Sequence, residues 1–192
     1  MERLLFATNN LNKLKEIQSL LGETITLLSL EEAGIREELP ETQDTLEGNA
    51  LQKAHRAFEL CGIPCFADDT GLEVFALGGR PGVYSARYAG EQKDPEANME
   101  KLLGELQDKP DRRARFRTVI ALVDGRQEVL FEGSVEGTVT AEKRGRKGFG
   151  YDPVFLPGES ERTFAEMEMA EKNRFSHRAR AIQKLVAFLG KK

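Results

Sequence analysis

Two adjacent carboxylates, Asp68 and Asp69, follow the short apolar run of residues 64–67. Neighbouring carboxylates repel each other and are costly to desolvate, so a pair beside a buried strand indicates a counter-cation. Mg²⁺ prefers oxygen ligands, typically one or two carboxylates together with substrate phosphates. Glu41 and Glu47, in the acidic segment and helix that precede the strand, are further candidate ligands. A solvated acidic turn is the alternative, and the pattern alone does not decide between the two.

A polar segment, residues 8–13, lies between a short apolar strand and an amphipathic helix. N–H groups at a helix start, together with the helix dipole, favour phosphate oxygens. Lys13 adds a flexible positive charge and Thr8 adds a hydroxyl group. The glycine and lysine spacing of a Walker A loop is absent. Simple helix capping is therefore the alternative to phosphate binding.

A glycine-rich aromatic segment, residues 148–153, reads Gly-Phe-Gly-Tyr-Asp-Pro. Its glycines allow close approach of the backbone to a ligand, Phe149 offers a ring that stacks on a flat base, and Asp152 offers hydrogen-bond acceptors. A tight turn without a ligand is the alternative. Farther along, Lys172 and the Ser-His-Arg run of residues 176–178 stand where the last helix begins. Basic groups there oppose the helix dipole, a cost below about 1 kcal/mol that hints at another use.

The elements that must position these groups alternate between strands and helices. We predict strands at residues 4–7, 25–28, 64–67 and 116–123, and the third of these strands is predicted to end at Asp68. A hairpin at Asp124-Gly125 then leads to a strand through Val139. Residues 72–77 form a brief strand or a helical turn. Helices are predicted after residue 13, from Thr45, from Asp94-Pro95 and over residues 182–189. The pattern indicates a mixed α/β fold with a central sheet.

The composition restricts the possible classes of protein. The 192 residues are 40% hydrophobic and 31% charged, with a net charge of -4. These values are typical of a globular protein and argue against a general nucleic-acid binder. The basic cluster at residues 143–147 is the one feature that favours nucleic acid, and a solvated loop explains it better. The N-terminus lacks a signal-peptide pattern and no run of about 18 apolar residues is present, so we expect a cytoplasmic protein without a membrane span.

The four segments occur in the order of one known family. The matching text includes Ala-Thr-Asn-Asn at 7–10 with Lys13 and Glu16, Glu-Gly-Asn-Ala at 47–50 with Lys53, Ala-Asp-Asp-Thr-Gly-Leu at 67–72, Pro-Gly-Val-Tyr-Ser-Ala-Arg-Tyr at 81–88, the aromatic segment at 148–153, Thr-Phe-Ala-Glu at 163–166, Glu171-Lys172 and Ser-His-Arg at 176–178. With these motifs the chain resembles the inosine triphosphate pyrophosphatase family over nearly its whole length. Residues 145–148 and Asn9 depart from the pattern common in that family.

The resemblance implies a role for each segment. Asp69 would be the catalytic base and, with Glu41, would hold Mg²⁺ as cofactor. The implied substrate-binding residues are Thr8, Asn9, Asn10, Leu11, Asn12 and Lys13 for the triphosphate, Thr70, then Phe149, Gly150, Tyr151 and Asp152 for base and sugar, Lys172 for the nucleotide, and His177 and Arg178 for the purine edge.

The resemblance also implies the fold, the reaction and the partners. The fold would be a single, elongated α/β domain over residues 1–192, with a mixed central sheet flanked by helices. Two lobes would surround a deep substrate cleft, and the protein would usually be a homodimer. The reaction would be magnesium-dependent hydrolysis of damaged purine nucleoside triphosphates (ITP, dITP and XTP) to the monophosphate and pyrophosphate. Such a protein binds a purine nucleotide, and neither nucleic acid nor a membrane is an expected partner. The alternatives are a nucleotide-binding sensor without turnover, and the related septum-formation-inhibitor family with a different base specificity.

Overall fold

The computed structural model describes residues 3–21, 25–158 and 160–190. The strands are β1 (Arg3–Phe6), β2 (Thr26–Leu28), β3 (Cys65–Val74), β4 (Arg113–Val123), β5 (Glu128–Val139) and β6 (Phe155–Pro157). The α-helices are α1 (Leu11–Leu21), α2 (Leu46–Cys61), α3 (Pro95–Glu105), α4 (Met169–Lys172) and α5 (His177–Leu189). Short 3-10 helices occupy Phe75–Leu77, Gly82–Arg87, Asp152–Val154 and Phe164–Glu166.

The six strands form one mixed sheet in the order β2-β1-β3-β4-β5-β6. Strand β1 is parallel to both of its neighbours, so that Leu5 lies opposite Leu28 on one side and Cys65 on the other. Strand β6 is antiparallel to β5, with Thr138 opposite Leu156. Parallel strands need crossover connections, and α1 and α2 supply them. The predicted mixed α/β class is therefore confirmed.

The chain forms two compact units, each with its own core. The first unit contains the described residues up to Asp69, together with Thr118–Gly133 and the chain from Arg178 onward. Its core packs Leu4, Phe6, Ile17, Leu21, Phe66, Ile120, Leu122, Phe131, Ala181, Ile182 and Leu185. The second unit contains Thr70–Arg117 and Ser134–His177. Its core includes Leu72, Val74, Met99, Leu102, Leu106, Phe116, Val135, Val139, Tyr151, Val154, Phe155 and Phe164.

Side-chain caps fix where the helices begin, as the sequence predicted. The Thr45 hydroxyl accepts the Gly48 N–H at 3.0 Å at the start of α2. The Asp94 carboxylate accepts the Glu96 N–H at 2.9 Å at the start of α3, where Pro95 takes the first helical position. Each cap satisfies a donor that the first turn cannot pair internally. None of the helices in the described ranges is long and apolar enough to cross a membrane.

The prediction that the third strand ends at the carboxylates is wrong. Strand β3 continues through Asp68, Asp69 and Thr70 to Val74. The predicted start of the fourth strand is also late, since β4 begins at Arg113. In both strands charged residues are part of the ladder because each has opposite charges beside it. In β4, for example, Arg115 donates to the Glu73 carboxylate at 2.8 Å.

Candidate active site

Asp68 lies in the interior of β3 and is surrounded by cations of the first unit. Lys13 Nζ is 3.0 Å from Asp68 Oδ1, and Arg178 Nε is 3.3 Å from Asp68 Oδ2. Burial alone would raise the pKa of this carboxyl group, but Lys13, Arg178 and Lys53 together hold it well below its usual range. Asp68 is therefore held in its charged form by ion pairs within the fold.

Asp69, the next residue, lies in a different environment. Successive strand residues point to opposite faces, so the two side chains diverge. The Asn49 carboxamide donates from Nδ2 to Asp69 Oδ2 at 3.1 Å. Burial raises the pKa of Asp69 above its ordinary value, and the nearby Glu41 carboxylate adds to the rise, while Lys53 and Lys13 oppose it. Two adjacent carboxylates thus have pKa values shifted in opposite directions, a pattern typical of acid–base sites.

Lys53 is a buried cation that interacts with the carboxylates of Glu41, Asp68 and Asp69. Its Nζ contacts the Glu41 carboxylate and donates to the Asp68 carbonyl oxygen at 2.7 Å. Burial would lower the pKa of Lys53, but Asp69, Glu41 and Asp68 outweigh that effect and raise it. Lys53 therefore stays charged, and it balances negative charge at the place where the sequence predicted a metal ion.

Arg178 closes the cluster from helix α5. Only 1% of its surface is exposed, and its guanidinium contacts the carboxylates of Glu16 and Asp68. Burial would lower the pKa of Arg178, and these two carboxylates raise it instead. The result is a charge cluster within the first unit, Glu16–Arg178–Asp68–Lys13, in which all but the partly exposed Lys13 are buried. The implied contact of Arg178 with a purine edge stays a prediction, and the structure adds the two carboxylate partners.

The polar segment before α1 is closed by its own side chains. Asn10 Oδ1 accepts the N–H groups of Asn12 and Lys13, at 3.0 and 3.2 Å. The Thr8 hydroxyl accepts the Asn10 N–H at 3.1 Å. Three of the N–H groups predicted to bind phosphate therefore already have an acceptor. The side chains of residues 9–12 are exposed and Lys13 is partly exposed, so side-chain contacts to a phosphate remain available.

In the second unit, Asp152 organises the aromatic segment. Asp152 Oδ2 accepts Lys172 Nζ at 2.8 Å and the Phe149 N–H at 2.9 Å, and both charged side chains are buried. Lys172 Nζ lies 5.1 Å from the centre of the Phe149 ring. A charge at this distance from the ring face is held by cation–π attraction. Three predicted substrate-binding residues are thus brought together, with the cation and the half-buried ring side by side.

Two other predicted residues of this unit are inside the fold. The Tyr151 hydroxyl donates to the Ser85 carbonyl oxygen at 2.9 Å, and burial raises the pKa of Tyr151. The His177 ring stacks on Phe116, with 4.5 Å between the ring centres. Both side chains fix the shape of the unit. Their implied contacts with substrate stay predictions, as does that of Thr70, which is partly exposed on β3.

The donor set fits a magnesium ion completed by its substrate. Within the described ranges, no three His, Cys, Asp or Glu residues lie close enough together to hold a metal ion by themselves. Mg²⁺ does not require such a cage, because it is usually held by one or two carboxylates and by substrate phosphates. Glu41 and Asp69 are close enough for their charges to interact, which matches that requirement. Glu47 lies in the first turn of α2, and its predicted support of the metal stays a prediction.

The basic cluster at residues 143–147 is largely neutralised by acidic neighbours. Arg144 pairs with Glu166 at 2.8 Å. Lys143 and Lys147 contact the carboxylates of Glu96 and Glu168, respectively. Paired charges release few counterions when they meet a polyanion, so this segment provides little of the salt-dependent attraction that nucleic-acid binders use.

Three residues of this site were given no role in the sequence analysis: Glu16, Asn49 and Lys53. They stand on α1 and α2, and the resemblance motifs contained all three. Asn49 and Lys53 are four residues apart on α2, a spacing that places both side chains on one helix face. A polar pair at this spacing, followed by two carboxylates in the next strand, is the signal from which a shared site could have been inferred.

The whole chain matches known proteins. The model of the Ham1 family matches residues 4–188. A protein of Porphyromonas gingivalis named dITP/XTP pyrophosphatase is 54% identical over 190 residues, covering 98% of each chain. A protein of the same name from Bacillus subtilis is 46% identical over 193 residues, again covering 98% of each chain.

Solved structures show the same fold. A HAM1 protein from Coxiella burnetii superposes with a TM-score of 0.91 at 37% identity, covering 100% of both chains. The Ham1 protein of Staphylococcus aureus gives a TM-score of 0.90 at 40% identity, with the same coverage. The resemblance predicted from the ordered motifs is confirmed by both kinds of match. This chain belongs to the Ham1 family.

Proposed function

We propose that this chain is a nucleoside triphosphate pyrophosphatase that hydrolyses ITP, dITP and XTP to the monophosphate and pyrophosphate. Its relatives named dITP/XTP pyrophosphatase match it over nearly their full length. The observation that carries the proposal is the pair Asp68 and Asp69, whose pKa values are shifted in opposite directions on one strand. One carboxylate anchors the buried cations, and the other is suited to accept a proton.

We propose that Glu41 and Asp69 hold Mg²⁺ together with the substrate phosphates. When bound, the ion supplies positive charge that offsets the charge of the triphosphate. Asp69, in strand β3, has a fixed backbone position, whereas Glu41 lies in an irregular segment before α2. Lys53 contacts Glu41 and carries a charge of the same sign as the ion. Lys53 would therefore balance the charge of the Glu41 carboxylate before the metal binds.

Asp69 is the proposed proton acceptor in the hydrolysis. A water oxygen attacks the α-phosphorus, the bond from the α-phosphorus to the bridging oxygen breaks, and pyrophosphate leaves with that bonding pair. The proton released by the water passes to Asp69. Before the metal binds, burial raises the pKa of this carboxyl group above its ordinary value. Lys13, beside Asp68, supplies positive charge for the leaving pyrophosphate.

Recognition of the base is assigned to donors that match the purine O6. Hypoxanthine and xanthine present O6 as an acceptor and N1–H as a donor, whereas adenine reverses both. Arg178 and nearby backbone donors would favour O6 and would face adenine's amino group with a second donor. Each unsatisfied group costs about 1–3 kcal/mol, or about 5- to 150-fold in discrimination. Guanine also carries O6, so its exclusion depends on the shape around its 2-amino group.

We further propose that the protein depends on magnesium, acts as a homodimer and works in the cytoplasm. The dimer and the compartment are supported by the resemblance to the inosine triphosphate pyrophosphatase family. The relatives named dITP/XTP pyrophosphatase are bacterial proteins of nearly the same length as this chain. Light scattering after gel filtration would measure the mass directly, and a mass near 21.5 kDa, that of one chain, would overturn the dimer.

A product assay across nucleotides tests the proposal. Initial rates are measured with Mg²⁺ for ITP, dITP, XTP, ATP, GTP, CTP and UTP, with monophosphate plus pyrophosphate separated from diphosphate plus phosphate. We expect pyrophosphate, released preferentially from ITP, dITP and XTP, and no turnover when EDTA removes the metal. Release of phosphate, or equal use of ATP, would mean that the motifs mark a related fold with different chemistry. Binding without turnover would favour the sensor.

The variant Asp69→Asn tests the proton acceptor. We expect the fold to be retained and kcat to fall by about 10²- to 10⁴-fold, the usual contribution of a positioned general base. Circular dichroism and the melting temperature serve as controls for folding. A variant that folds normally and keeps wild-type kcat would remove Asp69 from this role.

A further inference from the structure

Asn49, in the first turns of α2, contacts one carboxylate of the proposed metal site and the segment that carries the other. It is 2% exposed. Its Nδ2 donates to Asp69 Oδ2 at 3.1 Å. Its Oδ1 accepts the backbone N–H of Gln43 at 2.9 Å, and Gln43 lies two residues after Glu41. One carboxamide therefore connects the strand that carries one carboxylate to the segment that carries the other.

The surrounding packing leaves this carboxamide little freedom. The segment that follows Glu41 lies directly against the start of α2, since a Cβ added to Gly48 would be 2.7 Å from the Gln43 Cβ. Lys53, one helical turn after Asn49, contacts Glu41 from the same helix face. With both ends of its amide group used, Asn49 has a single rotamer that satisfies its partners.

We propose that Asn49 is a positioning residue that sets the rotation of the Asp69 carboxylate. A buried carboxylate with one oxygen fixed by a donor cannot turn about its last torsion without losing that bond. Catalytic groups must be held within about 0.5 Å and 10–20° of their working geometry. Asn49 would thereby hold Asp69 ready to accept the proton of the attacking water. The inference deepens the proposed function and rests on the proposed role of Asp69.

Gln52 provides a matched control on the same helix. Its Oε1 accepts the Thr42 N–H at 2.9 Å, and its Nε2 donates to the Thr42 hydroxyl at 2.8 Å. It therefore tethers the same segment as Asn49 does, one residue nearer to Glu41. No contact of Gln52 with Asp69 accompanies these two bonds. Gln52→Ala loosens the segment alone, whereas Asn49→Ala loosens the segment and also removes the Asn49 donor from Asp69.

The test compares steady-state kinetics of the full-length variants Asn49→Ala, Gln52→Ala and Asp69→Asn with dITP at saturating Mg²⁺. For Asn49→Ala we expect kcat to fall by about 10- to 100-fold, the usual effect of removing a partner that orients a functional carboxylate. The KM for dITP should change by less than about threefold, because ground-state binding is not altered. Gln52→Ala should keep kcat within about threefold of wild type. Equal loss of kcat in Asn49→Ala and Gln52→Ala would overturn the inference, since tethering alone would then explain both.

A second variant keeps the inference testable if Asn49→Ala folds poorly. Asn49→Asp retains an acceptor for the Gln43 N–H but has no donor for Asp69. We expect kcat to stay low in this variant, and a return to the wild-type value would overturn the inference. Asp69→Asn distinguishes a failure of the proposed role of Asp69 from a failure of the role of Asn49. If that variant keeps wild-type kcat, the proposed function of Asp69 fails; if it loses activity while Asn49→Ala does not, only the role of Asn49 fails.

Discussion

The buried pair of Glu16 and Arg178 offers a sharp test of how the charge cluster stabilises the fold. Arg178 is 1% exposed and its guanidinium contacts two carboxylates, Glu16 on α1 and Asp68 on β3. The substitution Glu16→Gln keeps the shape of the side chain and removes its charge. The guanidinium would remain buried, with Asp68 as its one carboxylate in this chain of charges. Asp68 would still be shared with Lys13.

The expected magnitude follows from the burial of the pair. Breaking a buried ion pair by removing one partner costs about 3–5 kcal/mol, because the other charge is left buried and undercompensated. The Gln oxygen can still accept one hydrogen bond, so the lower end, about 3 kcal/mol, is the expected loss. For a chain of this size a loss of 1 kcal/mol lowers the melting temperature by about 2–4 °C. We therefore expect a decrease of about 6–12 °C.

Urea unfolding at pH 7 and thermal melting measure this loss, with the exposed pair of Lys147 and Glu168 as the control. Their side chains are 51% and 75% exposed. Exposed ion pairs contribute about 0–1 kcal/mol, so Glu168→Gln should change the melting temperature by at most a few degrees. A Glu16→Gln variant no less stable than Glu168→Gln would refute the reasoning. The Glu16–Arg178 contact would then add nothing to what Asp68 alone provides.

Two further predictions concern pH and the glycine-rich segment. Without Mg²⁺, the lowered pKa of Asp68 stabilises the fold at pH values above the ordinary pKa of 3.8, and this stability is lost as the pH falls through the folded-state pKa. The urea concentration at the unfolding midpoint should therefore decrease as the pH drops below about 4, and it should decrease less steeply in Asp68→Asn. The raised pKa of Asp69 acts in the opposite sense. Its contribution is lost as the pH rises through the folded-state pKa, so the urea midpoint of Asp69→Asn should gain on that of wild type as the pH rises above about 4. Gly148→Ala should raise the KM for dITP about tenfold, because the new Cβ would lie 2.1 Å from Asp152 Oδ2 and displace the carboxylate. Gly150→Ala has the same type of left-handed backbone with nothing within 4 Å of its Cβ, so kinetics as poor as those of Gly148→Ala would assign the effect to backbone strain instead.

Local signals in the sequence identified the elements that begin with a recognisable cap. Asp94 followed by Pro95 marked the start of α3, and Thr45 marked the start of α2, because a cap and the turn it closes are only a few residues apart. The order of short apolar runs and helices likewise gave the α/β class. These predictions required no information about which residues meet in space.

The charge cluster was less predictable because its partners are far apart in the chain. Asp68 pairs with Lys13 and with Arg178, which are 55 and 110 residues away, respectively. Because the sequence does not reveal these distant cations, the two adjacent carboxylates indicated the end of a strand, and that prediction was wrong. Arg178 likewise resembled an ordinary first-turn residue, because Glu16 is 162 residues away. The motifs supplied the candidate residues, and only the tertiary structure supplied their pairings.

The location of Asp68 and Asp69 inside a strand has a consequence for how the protein can change during evolution. A strand alternates its faces with every residue, so inserting or deleting one residue between Cys65 and Ala67 would turn each carboxylate toward the other's surroundings. Such a change would exchange the structural anion and the proposed base in one step. We therefore expect related proteins to keep the spacing of these two residues within β3 unchanged.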